Sequence, residues 1–345
     1  MSPAWQRLLS DSGAVMDAGV VRHFGDAARE LAAAAGGDVI TDLSHLGIIE
    51  VDGEDAGRFL GGQLTSDVLS LTADRSSLSA WCTPQGRALA VFRILRAGQG
   101  YRMLLPAEIA GPTITRLRRY VLRSKVSITD HGDALACIGV SGPRATDALA
   151  RELPLPQWPD AVSGGNGVSV IRLRGLAPRQ ILIGPPEALA VLWRRLAAVA
   201  RPAGAPAWDF LDITAGLPQV FAATREKFVP LTLNLDVLGG ISFGKGCYTG
   251  QEIIARMRYR GHLKQRMYIG RADATDLPPP GARLAVEGAE MSAGEVVQAA
   301  PHPEGGIVFT AVTQMELAGT DRVHLLSAAG PAVRWSRPPY DIELP

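Results

Sequence analysis

Two stretches far apart in the chain share one pattern, and no other feature restricts the fold so tightly. IIEVDGEDAGRFLGGQL (48–64) and ACIGVSGPRATDALAREL (136–153) each run as a short apolar strand, a glycine turn and an amphipathic helix opened by polar residues. The segments downstream of the two copies are alike as well. After the first, apolar runs at 79–83, 88–96 and 101–105 predict strands, with a turn at Pro84-Gln85-Gly86 and a helix near 107–123. After the second, strands are expected at 168–174 and 180–183 and a helix at 186–200. Strand, helix, strands, helix is the order of a split βαβ unit, which sets helices on one face of a mainly antiparallel sheet. The expected class is therefore α+β, with two such units.

LPPPG (277–281) can continue neither helix nor sheet, because successive prolines remove donors and fix the backbone. Beyond it ARLAVEG, GEVVQAA, GIVFTAV and RVHLLSAAG read as short strands of a small barrel, with TQMELAG as a brief helical interruption. A chain of 345 residues exceeds one ordinary core and has room for this third part. The expected division is 1–130, 131–265 and 266–345, the first two free to interleave in space.

The 35 basic and 34 acidic residues nearly cancel, which argues against coating a polyanion with the whole surface and leaves a local patch open. No run approaches the roughly 18 apolar residues of a membrane span, and MSPAWQRLLSDSG lacks a leader pattern, so a soluble, cytoplasmic protein is expected. Cys82, Cys137 and Cys247 are dispersed and odd in number, which fits reduced thiols rather than a disulfide framework. The six histidines show no metal-ligand spacing, and no metal site is expected.

KGCYTGQEIIAR (245–256) is the main site candidate. Thr249 and Glu252 have capping-box spacing, with Thr249 as N-cap, which places Cys247 just ahead of a helix N-terminus. The helix dipole and Lys245 would both favour a thiolate, and Gly246 and Gly250 let the backbone bend sharply. A glycine-rich helix entry with a space-filling cysteine explains the motif equally well on these grounds alone. Downstream, RMRYRGHLKQRMYIGR (256–271) carries Arg256, Arg258, Arg260, Lys264, Arg266 and Arg271 with no carboxylate among them. With tyrosine rings nearby, this run is a candidate holder of RNA phosphates or polyglutamate carboxylates; a solvated charged face is the plainer alternative. GRFLGGQLTSDV reads as a helix ending at Gly61, Trp208 in WDFLDITAGLP as a core aromatic, and Cys137 as a buried thiol.

With these residues in view, the sequence resembles the YgfZ family, folate-binding relatives of the aminomethyltransferase (T-protein) of the glycine cleavage system. KGCYTGQE carries the match, continued by IIARMRYRGHLKQRMY and preceded by FVPLTLNLDVLGGISF. VDGEDAGRFLGGQLTSDV, CTPQGRALAVFRI and RRYVLRSKVSITD agree more weakly, so that most of 45–270 is covered. The resemblance implies a three-domain cloverleaf around a central channel, with tetrahydrofolate or a one-carbon derivative bound there and a small β-barrel as third domain. It also implies a role in assembling or repairing iron–sulfur enzymes, including tRNA-thiolating ones, with those enzymes or their assembly factors as partners. Under it, Cys247 and Lys245 take the catalytic positions, and Leu46, Trp208, Tyr248, Gln251, Arg256 and Arg258 the cofactor-binding ones. T-proteins carry acids in the strand here occupied by 87–91, and a glutamate where Thr214 stands. Both are absent, so aminomethyl transfer is disfavoured and enzymatic turnover is left open. A one-carbon transferase and a tRNA-binding module are the alternatives, the second weakened by the balanced charge.

Overall fold

The computed structural model describes residues 1–259, 261 and 263–342, with the backbone alone at 289 and 290. In it the two copies become two sheets of matching order. The first runs Ser76–Cys82, Ala88–Ala97, Gly100–Pro106, Leu46–Asp52, Ser127–Asp130. The second runs Val162–Gly165, Val168–Leu173, Arg179–Gly184, Ala136–Ser141, Val39–Asp42, with Arg201–Ala203 added at the far edge. Its pairings are antiparallel except the last, where Arg201–Ala203 lies parallel to Val39–Asp42. The segment 1–130 thus lends a strand to the sheet of 131–265.

Each copy turns from strand to helix on a glycine that no other residue could replace without strain. Gly53 has φ +118°, and a Cβ there would lie 2.1 Å from Lys125 O. Gly142 has φ +109°, and its Cβ would lie 2.4 Å from Gly37 O. In both cases the carbonyl stands two residues ahead of the neighbouring antiparallel strand, Ser127–Asp130 or Val39–Asp42. A carboxylate fastens each turn, but from opposite sides. Asp38 accepts from Ala145 N at 2.8 Å and Arg144 Nε at 2.9 Å, satisfying the start of helix Pro143–Ala150. In the first copy Asp55 instead accepts from Lys125 N at 2.9 Å.

One face of the second sheet buries Ile40, Ile138, Val140 and Leu182 against helices Pro3–Asp11 and Pro186–Leu196, through Trp5, Leu9, Leu189 and Trp193. Trp5 and Trp193 meet edge to face at 6.0 Å, a geometry that contributes about 0.5–1.5 kcal/mol beyond burial. The C-terminal sheet runs Val323–Leu325, Arg283–Val286, Ala289–Pro301, Ile307–Gln314, Gln265–Ala272, Arg334–Ser336, antiparallel throughout. A bridge between His324 and Ala332 nearly closes it into a barrel around Leu284, Val296 and Phe309. TQMELAG forms no helix: its first two residues extend the strand, because Thr313 and Gln314 pair with Arg266 and Gln265, and the rest is turn.

By contacts the chain falls into two discontinuous units. One is Met1–Ala56 with Leu71–Ser76 and Ile94–Leu211; the other is Gly57–Ser70 with Ser77–Arg93 and Asp212–Pro345. None of the described helices is long and apolar enough to cross a membrane.

Candidate functional site

Helix Gln251–Tyr259 begins one residue later than a Thr249 cap would require. Gly250, at φ +86°, stands at the boundary, and its carbonyl accepts from Ile254 N at 3.3 Å. The backward bond of a capping box is made by Gln251, whose Oε1 accepts from Tyr248 N at 3.3 Å. Glu252 turns away to pair with Arg256 at 2.6 Å. The glycine is required twice over: besides its positive φ, a Cβ there would lie 2.6 Å from Thr83 O and 3.0 Å from Gly86 Cα. The helix start is therefore seated on the Pro84-Gln85-Gly86 turn, which the sequence presents as an unrelated hairpin.

Lys245 reaches the other way. Its ammonium donates to Gly61 O and Leu64 O at 2.7 Å each and to Ser66 O at 2.9 Å. Gly61 O and Leu64 O lie at the end of helix Ala56–Gln63, where the last turn lacks internal donors and the dipole is negative, and Ser66 O, three residues beyond, also accepts from Val68 N at 3.1 Å. The ammonium also stands 5.0 Å from the centre of the Tyr248 ring. Partial burial pulls the Lys245 pKa down to about 8, against an opposing pull from Asp67. Tyr248 is buried beside Cys82 in the core of this unit, and burial raises its hydroxyl above the ordinary value.

Cys247 is exposed, whereas Cys82 and Cys137 are buried. Burial pushes the Cys82 thiol up to about 12 and Cys137 further still, so neither ionises near neutrality. Cys137 is buried, as its apolar strand predicts, and inert for that reason.

The basic run is less free than its sequence suggests, because the fold supplies carboxylates from outside it. Arg256 is held by Glu252, Arg258 by Asp236 at 3.3 Å, and Arg271 by Glu304 at 3.1 Å. Arg266 and Asp236 form a buried bidentate pair at 2.6 and 3.0 Å, and Leu231 O takes a further bond. The Arg258 guanidinium lies 5.7 Å from the Phe243 ring centre, and Phe243 meets Tyr259 edge to face at 5.8 Å. Arg260 and His262 lie outside the described residues.

Leu46 and Trp208 belong to the first unit. Trp208, on helix Ala205–Thr214, is fully buried: its ring fills the space a Cβ at Gly139 would need, 2.3 Å away, and the Arg179 guanidinium sits 4.8 Å from its centre. Such packing matches the core reading of that residue. Leu46 lines a cavity of about 310 Å³ with Trp5, Ser44, Asp130, Asp133 and Cys137. Behind it Asp42, its pKa raised by burial, accepts from Trp5 Nε1 and Ser44 Oγ, both at 2.8 Å. His45 stands next to Leu46, and no spacing motif in the sequence marks it out from the other five histidines, each expected to be structural. Both its ring nitrogens are buried without a hydrogen-bond partner among the described residues, and burial, aided by Arg22, depresses its pKa to about 4. Among the described residues no group of three or more potential metal ligands is gathered.

Comparison with known proteins bears on both sequence and fold. The model of the GCVT N-terminal domain matches residues 12–156. The tRNA-modifying protein YgfZ of Edwardsiella ictaluri is 32% identical over 300 residues, 86% of this chain and 90% of the relative. That of Escherichia coli (strain UTI89) is 30% identical over 304 residues, 87% and 93% of the two chains. Among solved structures, the glycine cleavage system aminomethyltransferase T from Bartonella henselae superposes with a TM-score of 0.75 over 98% of this chain and 96% of its own; at 15% identity this is a likeness of fold.

Proposed function

The chain belongs to the YgfZ family, and from that premise we propose a tetrahydrofolate-binding accessory protein of the cytoplasm that supports assembly or repair of iron–sulfur enzymes, tRNA-thiolating ones included, with Cys247 as its working group. The observation that carries this reading is the exposure of Cys247 within KGCYTGQE: of the three thiols it alone is open to a partner. Tyr248 and Gln251 hold the turn that presents it.

For the folate, Leu46 offers the best support. Its cavity of about 310 Å³ is at the lower end of the range for small-ligand sites. Asp130 and Asp133 on its wall are acceptors of the kind the amino-pyrimidine edge of a pterin needs. When bound, the folate would supply one-carbon chemistry. Arg256 and Arg258, which belong to the other unit, enter as carboxylate holders only by family position, each being paired already, with Glu252 and Asp236. Trp208 enters only by family position, its ring being occupied in packing. Direct tRNA binding is the weaker reading, since the described arginines of the basic run already have carboxylate partners.

Calorimetric titration with tetrahydrofolate, paired with complementation of a deletion strain, tests both parts. Cys247→Ala is expected to keep folate binding and lose restoration of iron–sulfur enzyme activity. Full restoration by that variant would remove the thiol from the function; absence of tetrahydrofolate binding to the wild type would remove the ligand.

A further inference from the structure

We infer that Lys245 is a positioning residue, whose ammonium clamps the 61–66 turn and so fixes where the Cys247 thiol stands. All three of its N–H groups are taken, by Gly61 O, Leu64 O and Ser66 O, and the Tyr248 ring lies against the same ammonium. An ammonium has three donors and no acceptor, so nothing is left for a ligand or for the thiol. The bonds are charge-assisted, and two of them end on carbonyls at the helix end that the helix itself cannot satisfy.

The chain around the thiol explains why this matters. Only Gly246 separates Lys245 from Cys247, and a Cβ at Gly246 would meet none of the described residues within 4 Å, so the turn has little packing of its own at that position. On the far side Gly250 is wedged against Thr83 O and Gly86. Cys247 therefore hangs between two fixed points, the Lys245 clamp on one side and the buried Tyr248 with the Gly250 contact on the other. Releasing the first leaves the thiol tethered at one end. A pKa of about 8 keeps most of the clamp charged at neutral pH. The functional weight of this inference rests on Cys247 being the working group; the clamp does not.

The test compares full-length wild type, Lys245→Met and Lys245→Arg by hydrogen exchange across 57–70 and by iodoacetamide labelling of Cys247. Both variants are expected to exchange about tenfold faster in 57–70 and to change the rate of Cys247 labelling at least about fivefold, because arginine's planar fork cannot serve three carbonyls converging on one nitrogen. An arginine variant that matches wild type in both measurements would show that charge suffices and overturn the clamp. Faster exchange with unchanged labelling would leave a plain staple and overturn the positioning role. If both variants unfold, acetylation of the wild type decides. Exposed Lys264 should react at least about tenfold faster than Lys245, although the lowered pKa of Lys245 alone would favour its reaction. Equal labelling would overturn the clamp. None of these readouts depends on folate or on iron–sulfur activity, so they fail separately from the proposed function.

Discussion

In the first copy the strand beside Leu46–Asp52 is Ser127–Asp130, which comes after that copy's second helix. In the second copy the same place, beside Ala136–Ser141, goes to Val39–Asp42, taken from ahead of the first copy, and Arg201–Ala203 is displaced to the edge. The local geometry nonetheless agrees, down to a carbonyl two residues ahead of the neighbouring strand pressed against a left-handed glycine. A sheet thus requires a strand of the right course at that position, and is indifferent to where in the chain it originates. Only the fastening records the difference. In the second copy the carboxylate comes from the borrowed side, on Asp38; in the first it comes from the helix side, on Asp55.

This equivalence can be broken at its strongest point first. Gly53→Ala and Gly142→Ala should each lose roughly 4 kcal/mol in chemical denaturation, about 1 from the positive φ and the rest from the backbone clash. If one copy tolerates alanine, the two turns are not equivalent. His45, which links the borrowed strand to the first copy, comes next. Its folded pKa of about 4 lies below the ordinary 6.5, so as pH falls from 6.5 to 4 the unfolded chain takes up a proton that the folded one refuses. Stability should fall by about 3 kcal/mol across that window, and a His45→Phe protein should lack this slope. Asp38→Ala should cost about 1–2 kcal/mol, the usual loss for a helix cap, measured in the same melts. Asp55→Ala, at an exposed site, should cost only about 0.5 kcal/mol. Equal losses at Asp38 and Asp55 would show that the side supplying the carboxylate makes no difference.

Much of this was legible in the chain because it is local. The strand, glycine and helix of each copy, the C-terminal strands and the buried Cys137 come from periodicity and turn residues within a few positions. The illegible part depends on distant partners. Val39–Asp42 is four residues long and announces nothing about pairing with Ala136–Ser141. Lys245 finds backbone carbonyls, which have no sequence signature, about 180 residues away. The capping box fell one residue early because Thr249 and Glu252 have the right spacing, yet Gly250 must sit at the boundary to clear Thr83 O, and Glu252 is drawn to Arg256. The basic run looked uncompensated because Asp236 and Glu304 lie outside it.

The borrowed strand also sets a timetable for synthesis. Val39–Asp42 leaves the ribosome about 100 residues before Ala136–Ser141, so at 5–20 residues per second it waits roughly 5–20 s with both edges unpaired. Its apolar Val39 and Ile40 are open to the wrong neighbour throughout that interval. The nascent chain is most in need of a holding chaperone then, before the second copy has emerged, and slowed translation between the two copies would lengthen the hazard.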